Sequence, residues 1–336
     1  MSDTQESKPT VSSASAAPTT EAARSKRARV ADFVSDNGAL VGLLVLCLGM
    51  FIATPSFLTP NNLLNIGIQV AVVAILAFGQ TFVIVTAGID LSVGSVAALS
   101  AMVAAYTGQS WGMPPMIALL FGLLTGLVAG SLSGAATAYG KLPPFIATLA
   151  MLSIARGLTL VVSNGIPVPT PSVVTWLGGS VGPVPMPVVV MAVMGAIGWF
   201  ILNRLSIGRA MYAVGGNLEA ARLSGIPVKR VLVTVYALSG IFAAVAGLVL
   251  SGRLASAQPQ AATGYELDAI AAVVIGGASL AGGVGKISGT LIGALVLAVI
   301  RNGLNLLNVS AFWQQVIIGL VIAVAVGIDV LRRKRA

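Results

Sequence analysis

Residues 203–230 read NRLSIGRAMYAVGGNLEAARLSGIPVKR and form the longest polar interruption after the chain enters its apolar part. A single acid, Glu219, stands against five basic residues, which are Arg204, Arg209, Arg222, Lys229 and Arg230. Apolar runs too long for a soluble core flank this loop on both sides. The positive-inside rule therefore places the loop in the cytoplasm.

The middle of the loop carries the signals of a short helix. Asn217 is a favourable N-cap, Glu219 lies in the first turn and Arg222 in the last. Gly225 and Pro227 then supply a stop. We expect a two-turn helix over residues 218–224, which is marginal in water alone and needs something to pack on it. The alternative is a tether that is basic only for topology.

The composition is that of an integral membrane protein. Of 336 residues, 57% are hydrophobic and 9% are charged, whereas soluble domains carry about 25% charged residues. The net charge of +9 comes from basic residues that collect in the N-terminal tail, in loop 203–230 and at the C-terminus. Membrane topology explains this pattern better than nucleic-acid binding, and attraction to anionic lipid is a secondary consequence.

The same composition argues against catalysis on this chain. There is no histidine, the commonest general base and metal ligand. The single cysteine, Cys47, lies in an apolar run and is expected to be a small buried hydrophobe. The stretch GGVGKISG at 282–289 fails as a phosphate loop because Leu280 and Ile287 replace the required residues. We expect no catalytic, metal or cofactor site here, so any use of ATP must occur on another chain.

The apolar pattern predicts an all-α membrane protein with about ten transmembrane helices, some short or broken. Residues 1–36 are predicted to be a disordered cytoplasmic tail, 37–331 the transmembrane domain and 332–336 a basic cytoplasmic end. The predicted segments are 38–53, 63–106 divided at 86–91, 116–138, 145–162, 187–202, 231–251, 266–283, 287–307 and 312–331. Residues 164–186 and 253–265 are predicted to be external loops. Segments 91–107 and 266–283 are short and glycine-bearing, so each either spans or re-enters.

Residues 86–94 read TAGIDLSVG and place a carboxylate near bilayer depth. Such a charge costs ~2.5–3.5 kcal/mol on insertion scales, so Asp90 needs a partner. The simplest is backbone, with Asp90 as N-cap of a helix that starts at Leu91 and with Ser92 or Val93 as donor. The alternative is a broken helix that helps to move a gate.

A second acid-initiated segment follows in the other half of the chain. It reads ELDAIAAVVIGGASLAGGVG and opens with Glu266 and Asp268. Two such segments hint at an internal repeat of the transporter kind, while close packing through small residues is the alternative. The predicted gate residues are Gly88, Asp90, Ser92, Gly94, Glu266 and Asp268.

Several polar side chains fall inside predicted spans. Arg156 and Arg301 must each face the bundle interior or a wet cavity, with Asp329 or a carbonyl as possible partner. Neutral amide and hydroxyl groups suit a hydroxylated, uncharged solute, but they serve equally as contacts between helices. The predicted pathway residues are Gln80, Thr81, Arg156, Asn302 and Asn305.

These motifs together resemble the ribose-type permeases of bacterial ABC sugar importers. The resemblance runs in order over about 58–329 and rests on TAGIDLSVG, PFIATL through Arg156-Gly157, VGGNLEAARLSGI, ELDAIAAVVIGGASLAGGVG and RNGL at 301–304. Glu219-Ala220-Ala221 with Gly225 resembles the EAA-x-x-x-G signature of the coupling loop, although the isoleucine and Leu-Pro pair of its fuller form are missing. Branched-chain amino acid permeases share the architecture but lack the GIDLSVG phrase.

The resemblance implies a type II-like importer permease without enzymatic activity, in the bacterial cytoplasmic membrane with both termini inside. It implies three protein partners: a second permease copy or paralogue, an ABC ATPase subunit and an extracytoplasmic solute-binding protein. The expected ATPase-docking residues are Asn217, Leu218, Glu219, Ala220, Ala221, Arg222 and Gly225. Importers of a nucleoside, polyol or furanose signal remain alternatives. An ion-coupled carrier is a further one, against which the sparse intramembrane carboxylates argue.

Overall fold

The computed structural model describes residues 38–333, without the side chains of residue 325 and of residues 328–333. The predicted N-terminal tail, residues 1–36, therefore lies outside the described residues. Most of the predicted basic C-terminus does so too. The predictions made for those two segments stay predictions.

Thirteen helices make up most of the described chain. They are α1 Gly38–Ala53, α2 Pro60–Val85, α3 Val93–Gln109, α4 Pro115–Ala138, α5 Pro144–Ser163, α6 Ser172–Gly178, α7 Met186–Arg204, α8 Ser206–Gly216, α9 Leu218–Leu223, α10 Val228–Arg253, α11 Tyr265–Ile275, α12 Ile287–Leu306 and α13 Ala311–Arg333. Prolines open several of them, at or near the first helical position, where a missing N–H costs nothing.

Four two-residue strands complete the secondary structure of residues 38–333: β1 Val168–Pro169, β2 Ser180–Val181, β3 Val184–Pro185 and β4 Ser256–Ala257. Strands β2 and β3 form a hairpin. Strands β1 and β4 pair in antiparallel fashion, with Val168 opposite Ala257. The two loops that were predicted to be external, 164–186 and 253–265, therefore lie at the same end of the molecule.

The core is centred on α2, α3 and α10. Phe82 of α2 and Phe242 of α10 meet edge to face, with ring centroids 5.4 Å apart, an arrangement that the ring quadrupoles favour. Helices α4 and α10 approach so closely that a Cβ on Gly240 would overlap the carbonyl oxygen of Gly126. Small residues thus allow this helix pair to pack through its backbones.

The outer helices expose apolar side chains. Along α4, Leu120, Leu124, Val128 and Leu132 recur every four residues and are each more than half exposed. Residues four apart lie on one helix face. In a chain of mean hydropathy +0.97, such a stripe is a surface for lipid.

Six helices, namely α2, α4, α5, α7, α10 and α12, are long and apolar enough to cross a membrane, and α1 and residues Ala311–Val324 of α13 are shorter apolar helices. Helix α11 extends only about 16 Å along its axis at 1.5 Å per residue. That is about half of a hydrocarbon core of ~30 Å, so α11 is too short to span alone. A multi-pass membrane protein is supported, and the count of ten spans stays a prediction.

The basic loop and the β1–β4 pair lie at opposite ends. Helix α10 starts at Val228, in the last residues of loop 203–230, and ends at Arg253, next to β4. Its ends are about 39 Å apart. At the near end, Lys229 lies over the ring of Tyr139, 5.2 Å from its centroid. The loop after α4 thus shares the end of the molecule that carries the basic loop.

Candidate functional site

The predicted short helix in the basic loop is present as α9. The side chain of Asn217 accepts a hydrogen bond from the amide of Ala220 at 2.9 Å, as expected of an N-cap. The helix ends at Leu223, and Gly225 follows with φ 79°. The amides of Gly225 and Ile226 then donate to the carbonyls of Arg222 and Ala221, which satisfies the last turn.

Helix α9 is mostly exposed to solvent. Of its six residues only Ala221 is buried, whereas Leu218 is 47% exposed and Leu223 is 87% exposed. Helix α9 contacts mainly α8, its neighbour in sequence. A six-residue helix is not stable by itself in water. The expected docking residues Leu218 and Glu219 are exposed, and docking of another chain on them stays a prediction.

Helix α8 connects α9 to the interior. The hydroxyl of Tyr212 donates to the carbonyl of Gly285 at 2.6 Å. A Cβ on Gly215 would overlap the carbonyl of Val85, and that carbonyl accepts from the amide of Gly283 at 2.9 Å. Burial raises the pKa of Tyr212, which keeps this phenol a donor. Three segments therefore meet at one joint: the end of α8, the end of α2 and the 276–286 loop.

Sequence reasoning did not find this joint. Tyr212 and Gly285 are separated by 73 residues, and no local pattern relates them. A tyrosine on an amphipathic helix beside a glycine-rich loop was the signal available, and it is a weak one.

The break after α2 is held from three sides. One oxygen of Asp90 accepts from the amide and hydroxyl of Ser92, at 2.9 and 2.6 Å, and the other accepts from Ser239 of α10 at 2.9 Å. With its amide oriented to satisfy both groups, Gln80 of α2 bonds the backbone of Asp90 at 3.1 and 3.2 Å. Asp90 is 1% exposed, so hydrogen bonds to neutral groups satisfy a sealed carboxyl group.

The predicted capping role of Asp90 was wrong in its position. Helix α3 begins at Val93 with Ser92 as its N-cap residue, not at Leu91. The Asp90 side chain instead closes a turn onto Ser92, since its first oxygen bonds both Ser92 donors. The expected amide donor at Ser92 is confirmed, and the bond from Ser239, 149 residues away, was not predictable.

The two predicted gate segments touch at one place and separate at another. A Cβ on Gly94 would meet the carboxylate of Glu266 and the carbonyl of Ala262. Asp268 instead turns to α12, where its oxygen accepts from Arg301 at 2.7 Å. A Cβ on Gly88 would crowd the buried hydroxyl of Tyr236. Of the predicted gate residues, Gly94 and Glu266 are therefore neighbours across the two segments, whereas Gly88 lies beside Tyr236 and Asp268 beside Arg301.

The two arginines in predicted spans both have partners. Arg156 donates to the carbonyls of Pro259 and Ala261 at 2.8 and 3.0 Å, which confirms a carbonyl as one of the expected partners. Arg301 pairs with Asp268, a partner that the sequence analysis did not propose. The side chain of Asp329 lies outside the described residues.

Three predicted pathway residues are sealed between helices. Gln80 and Thr81 are fully buried, and Thr81 bonds the hydroxyl of Thr290 on α12 at 2.8 Å. Asn302 exchanges two amide hydrogen bonds with Asn62 on α2, at 2.8 and 3.0 Å. In this conformation Thr81 and Asn302 join helices, which was the alternative interpretation, and Gln80 bonds the backbone of the break at Asp90. Asn305 is exposed and accepts from Gln314.

Comparisons with known proteins give the family of this chain. Residues 62–326 match the family model described as the permease component of the branched-chain amino acid transport system. A ribose import permease protein of Bacillus subtilis is 46% identical, over 89% of this chain and 93% of that protein. Its counterpart in Escherichia coli K12 is 45% identical, over 93% and 98%. The chain therefore belongs to this family of transport permeases.

A second sugar permease of Escherichia coli K12 is also similar. Its D-allose transport system permease protein is 41% identical, over 83% of this chain and 86% of that protein. No solved structure matches the chain at a significant level. The ribose-type resemblance drawn from the motifs is thus confirmed by relatives along most of the chain.

Proposed function

We propose that the protein is the membrane-spanning permease subunit of an ABC importer for a simple sugar of the ribose kind. The observation that supports this most directly is the exposed, capped helix α9, which is connected through α8 and its joint to the break after α2. Relatives that are named for ribose and for D-allose support a monosaccharide as the solute. The 86–94 motif, with its sealed Asp90, supports the sugar branch of the family over the amino acid branch.

The proposed mechanism is alternating access without covalent chemistry on this chain. An ATPase subunit that binds ATP and magnesium docks on residues 217–225, and a second permease copy completes the pathway. A solute-binding protein delivers sugar at the end of the molecule that carries β1 and β4. Basic loop 203–230 and both termini lie in the cytoplasm of a bacterium. When ATP closes the ATPase pair, α9 moves with it, and Tyr212 and Gly215 transmit this motion to the α2 break.

The test is reconstitution of the permease with its ATPase and binding protein in proteoliposomes. The double variant Glu219→Arg, Gly225→Trp reverses the charge in the first turn of α9 and places a bulky side chain at φ 79°. We expect ribose uptake and binding-protein-stimulated ATP hydrolysis to fall by about tenfold or more, equivalent to ~1.4 kcal/mol of lost coupling.

The matched control is Lys141→Gln. It removes a charge from the loop after α4, at the same end of the molecule but outside residues 217–225, and we expect it to retain both activities. Survival of both activities in the double variant would discredit docking on α9. Sugar uptake driven by an ion gradient with no nucleotide present would instead discredit the ABC importer itself.

A further inference from the structure

The ion pair between Arg301 and Asp268 borders a cleft. Two adjoining cavities, of about 180 and 360 Å³, share Tyr265, Asp268 and Arg301 in their walls. Gln69 of α2 and Arg253 of α10 line the smaller cavity. Gln314 and Gln315 of α13 line the larger. We call these two cavities together the Arg301 cleft.

The Arg301 cleft lies far from the coupling helix. Arg301 is about 22 Å along α12 from Lys286, and Gln69 is about 24 Å along α2 from Val85. Lys286 and Val85 both adjoin the joint that holds α8. Arg253 ends α10 next to β4. The cleft therefore opens toward the end of the molecule from which the proposed binding protein delivers solute.

Several polar groups of the cleft have donors or acceptors to spare. Among the described residues, the guanidinium of Arg301 donates only to Asp268, although it carries five N–H donors. The same part of the chain shows no side-chain hydrogen bond for Gln69 or for Tyr265. The Arg301 side chain is 32% exposed and that of Asp268 is 6% exposed. Apart from the bond between Arg301 and Asp268, these groups line the open space without bonding one another.

The ion pair is hard to explain by stability alone. It is the one salt bridge among the described residues, in a chain of which 9% is charged. Replacing a buried ion pair by apolar side chains of similar volume is often neutral or stabilising. A charged pair placed on a cavity wall therefore points to a ligand that uses it.

The chemistry of the lining defines that ligand. Asp268 balances the charge of Arg301 on the wall that the two cavities share, whereas the Arg253 side chain is exposed at the end of α10. The shared wall therefore favours a neutral molecule. A guanidinium fork and a carboxylate side by side match adjacent hydroxyl groups, which both donate and accept. Val73 and Leu297 supply apolar contacts, which suit the C–H faces of a sugar ring.

We propose that the Arg301 cleft is a binding subsite on the permease itself for a neutral monosaccharide with adjacent hydroxyl groups. Arg301 donates to the hydroxyl oxygens, Asp268 accepts from the hydroxyl protons, and Gln69 and Tyr265 bind further hydroxyls. This inference rests on the proposed function, since the cleft would bind the sugar that the importer transports, at the end of the molecule where the sugar is delivered.

Protection of a labelled cysteine tests the subsite. The full-length permease is prepared in nanodiscs as the variant Cys47→Ser, Gln315→Cys, and its reaction with a sulfonated maleimide is timed against rising ribose concentration. We expect ribose to slow labelling and proline at equal concentration to have no effect. Asp268→Asn and Arg301→Lys should each raise the half-protecting ribose concentration by about tenfold, the loss expected for one polar contact.

Two further variants, together with Arg301→Lys, distinguish sugar recognition from a purely structural role of the ion pair. Lys286→Gln removes a charge at the other end of α12 and should leave protection unchanged. Arg301→Lys keeps the charge but loses the planar fork of the guanidinium. Wild-type protection in this variant would show that the ion pair has only a structural role, and would overturn the proposal. If Asp268→Asn fails to fold, Arg301→Lys and Gln69→Ala replace it in the test. Gln69 suits this purpose because its side chain makes no hydrogen bond to another side chain among the described residues.

The remaining outcomes distinguish failure of the proposed subsite from failure of the proposed importer function. Stronger protection by ribose 5-phosphate than by ribose would make the cleft an anion site and overturn the proposal. Absence of any protection by ribose, with ribose uptake intact in proteoliposomes, would also overturn it while the proposed function stands. Failure of the reconstituted importer to move any simple sugar would instead refute the proposed function.

Discussion

Asp90 and Asp268 are both acids at short interruptions of the helical bundle, but their surroundings differ. Asp90 is enclosed by Ser92 and Ser239, and all its recorded partners are neutral. Asp268 pairs with a cation and borders a cleft. A carboxyl group satisfied by hydroxyls and amides in a closed core fixes a backbone shape. A carboxylate paired with a part-exposed cation leaves hydrogen-bonding groups of both side chains available to a ligand.

The largest effect expected from this contrast is on stability at the sealed acid. Asp90→Ala removes the acceptor for three buried donors on Ser92 and Ser239, and an unsatisfied buried group costs ~1–3 kcal/mol. We expect a loss of about 3 kcal/mol or more, seen as a lower midpoint of thermal unfolding in detergent. Asp90→Asn, which keeps one acceptor oxygen, should lose much less. An equal or larger loss in Asp268→Ala would remove the distinction between the two acids.

The next effect concerns glycines in the two regions. Gly215 lies against the carbonyl of Val85 at the closed joint, whereas Gly319 borders the cleft with open space around it. Gly215→Ala should cost ~1–3 kcal/mol through overpacking. Gly319→Ala should be neutral or slightly stabilising, because alanine favours a helix more than glycine does. Equal unfolding midpoints for the two variants would show that the joint is not tightly packed.

The local parts of the fold and site could be predicted from the sequence. Helix α9 is within one residue of its predicted end because its cap and stop are both encoded nearby, in Asn217 and Gly225. The break after α2 was found because TAGIDLSVG interrupts an apolar run. Six of the predicted spans correspond to helices long enough to cross a membrane, because their length and composition are themselves local properties.

Contacts between distant segments could not be predicted. Asn302 and Arg301 are neighbours in sequence, yet Asn302 faces α2 in the core and Arg301 faces a cleft. Their directions depend on how α12 is rotated against α2 and α11, which no motif encodes. For the same reason two polar residues that would suit a solute pathway do other work: Thr81 joins α2 to α12, and Gln80 bonds the backbone of the break after α2.

The smallest effect tests this division of α12 directly. Asn302→Ala breaks the reciprocal amide pair with Asn62, and such contacts between membrane helices contribute ~0.6–1.7 kcal/mol. We expect a small fall in the unfolding midpoint and a matching coupling energy in a cycle with Asn62→Ala. Protection of the cleft by ribose should not change. A loss of that protection would mean that the core face and the cleft face of α12 are not independent.

The joint beneath α8 relies largely on main-chain atoms: the carbonyls of Val85 and Gly285 accept, and the amide of Gly283 donates. Every amino acid except proline carries both groups, so most substitutions around the joint leave its bonds in place. Added volume is what the joint does not accept, at Gly215 above all. Evolutionary drift here is therefore restrained by the space available to a side chain more than by its polarity.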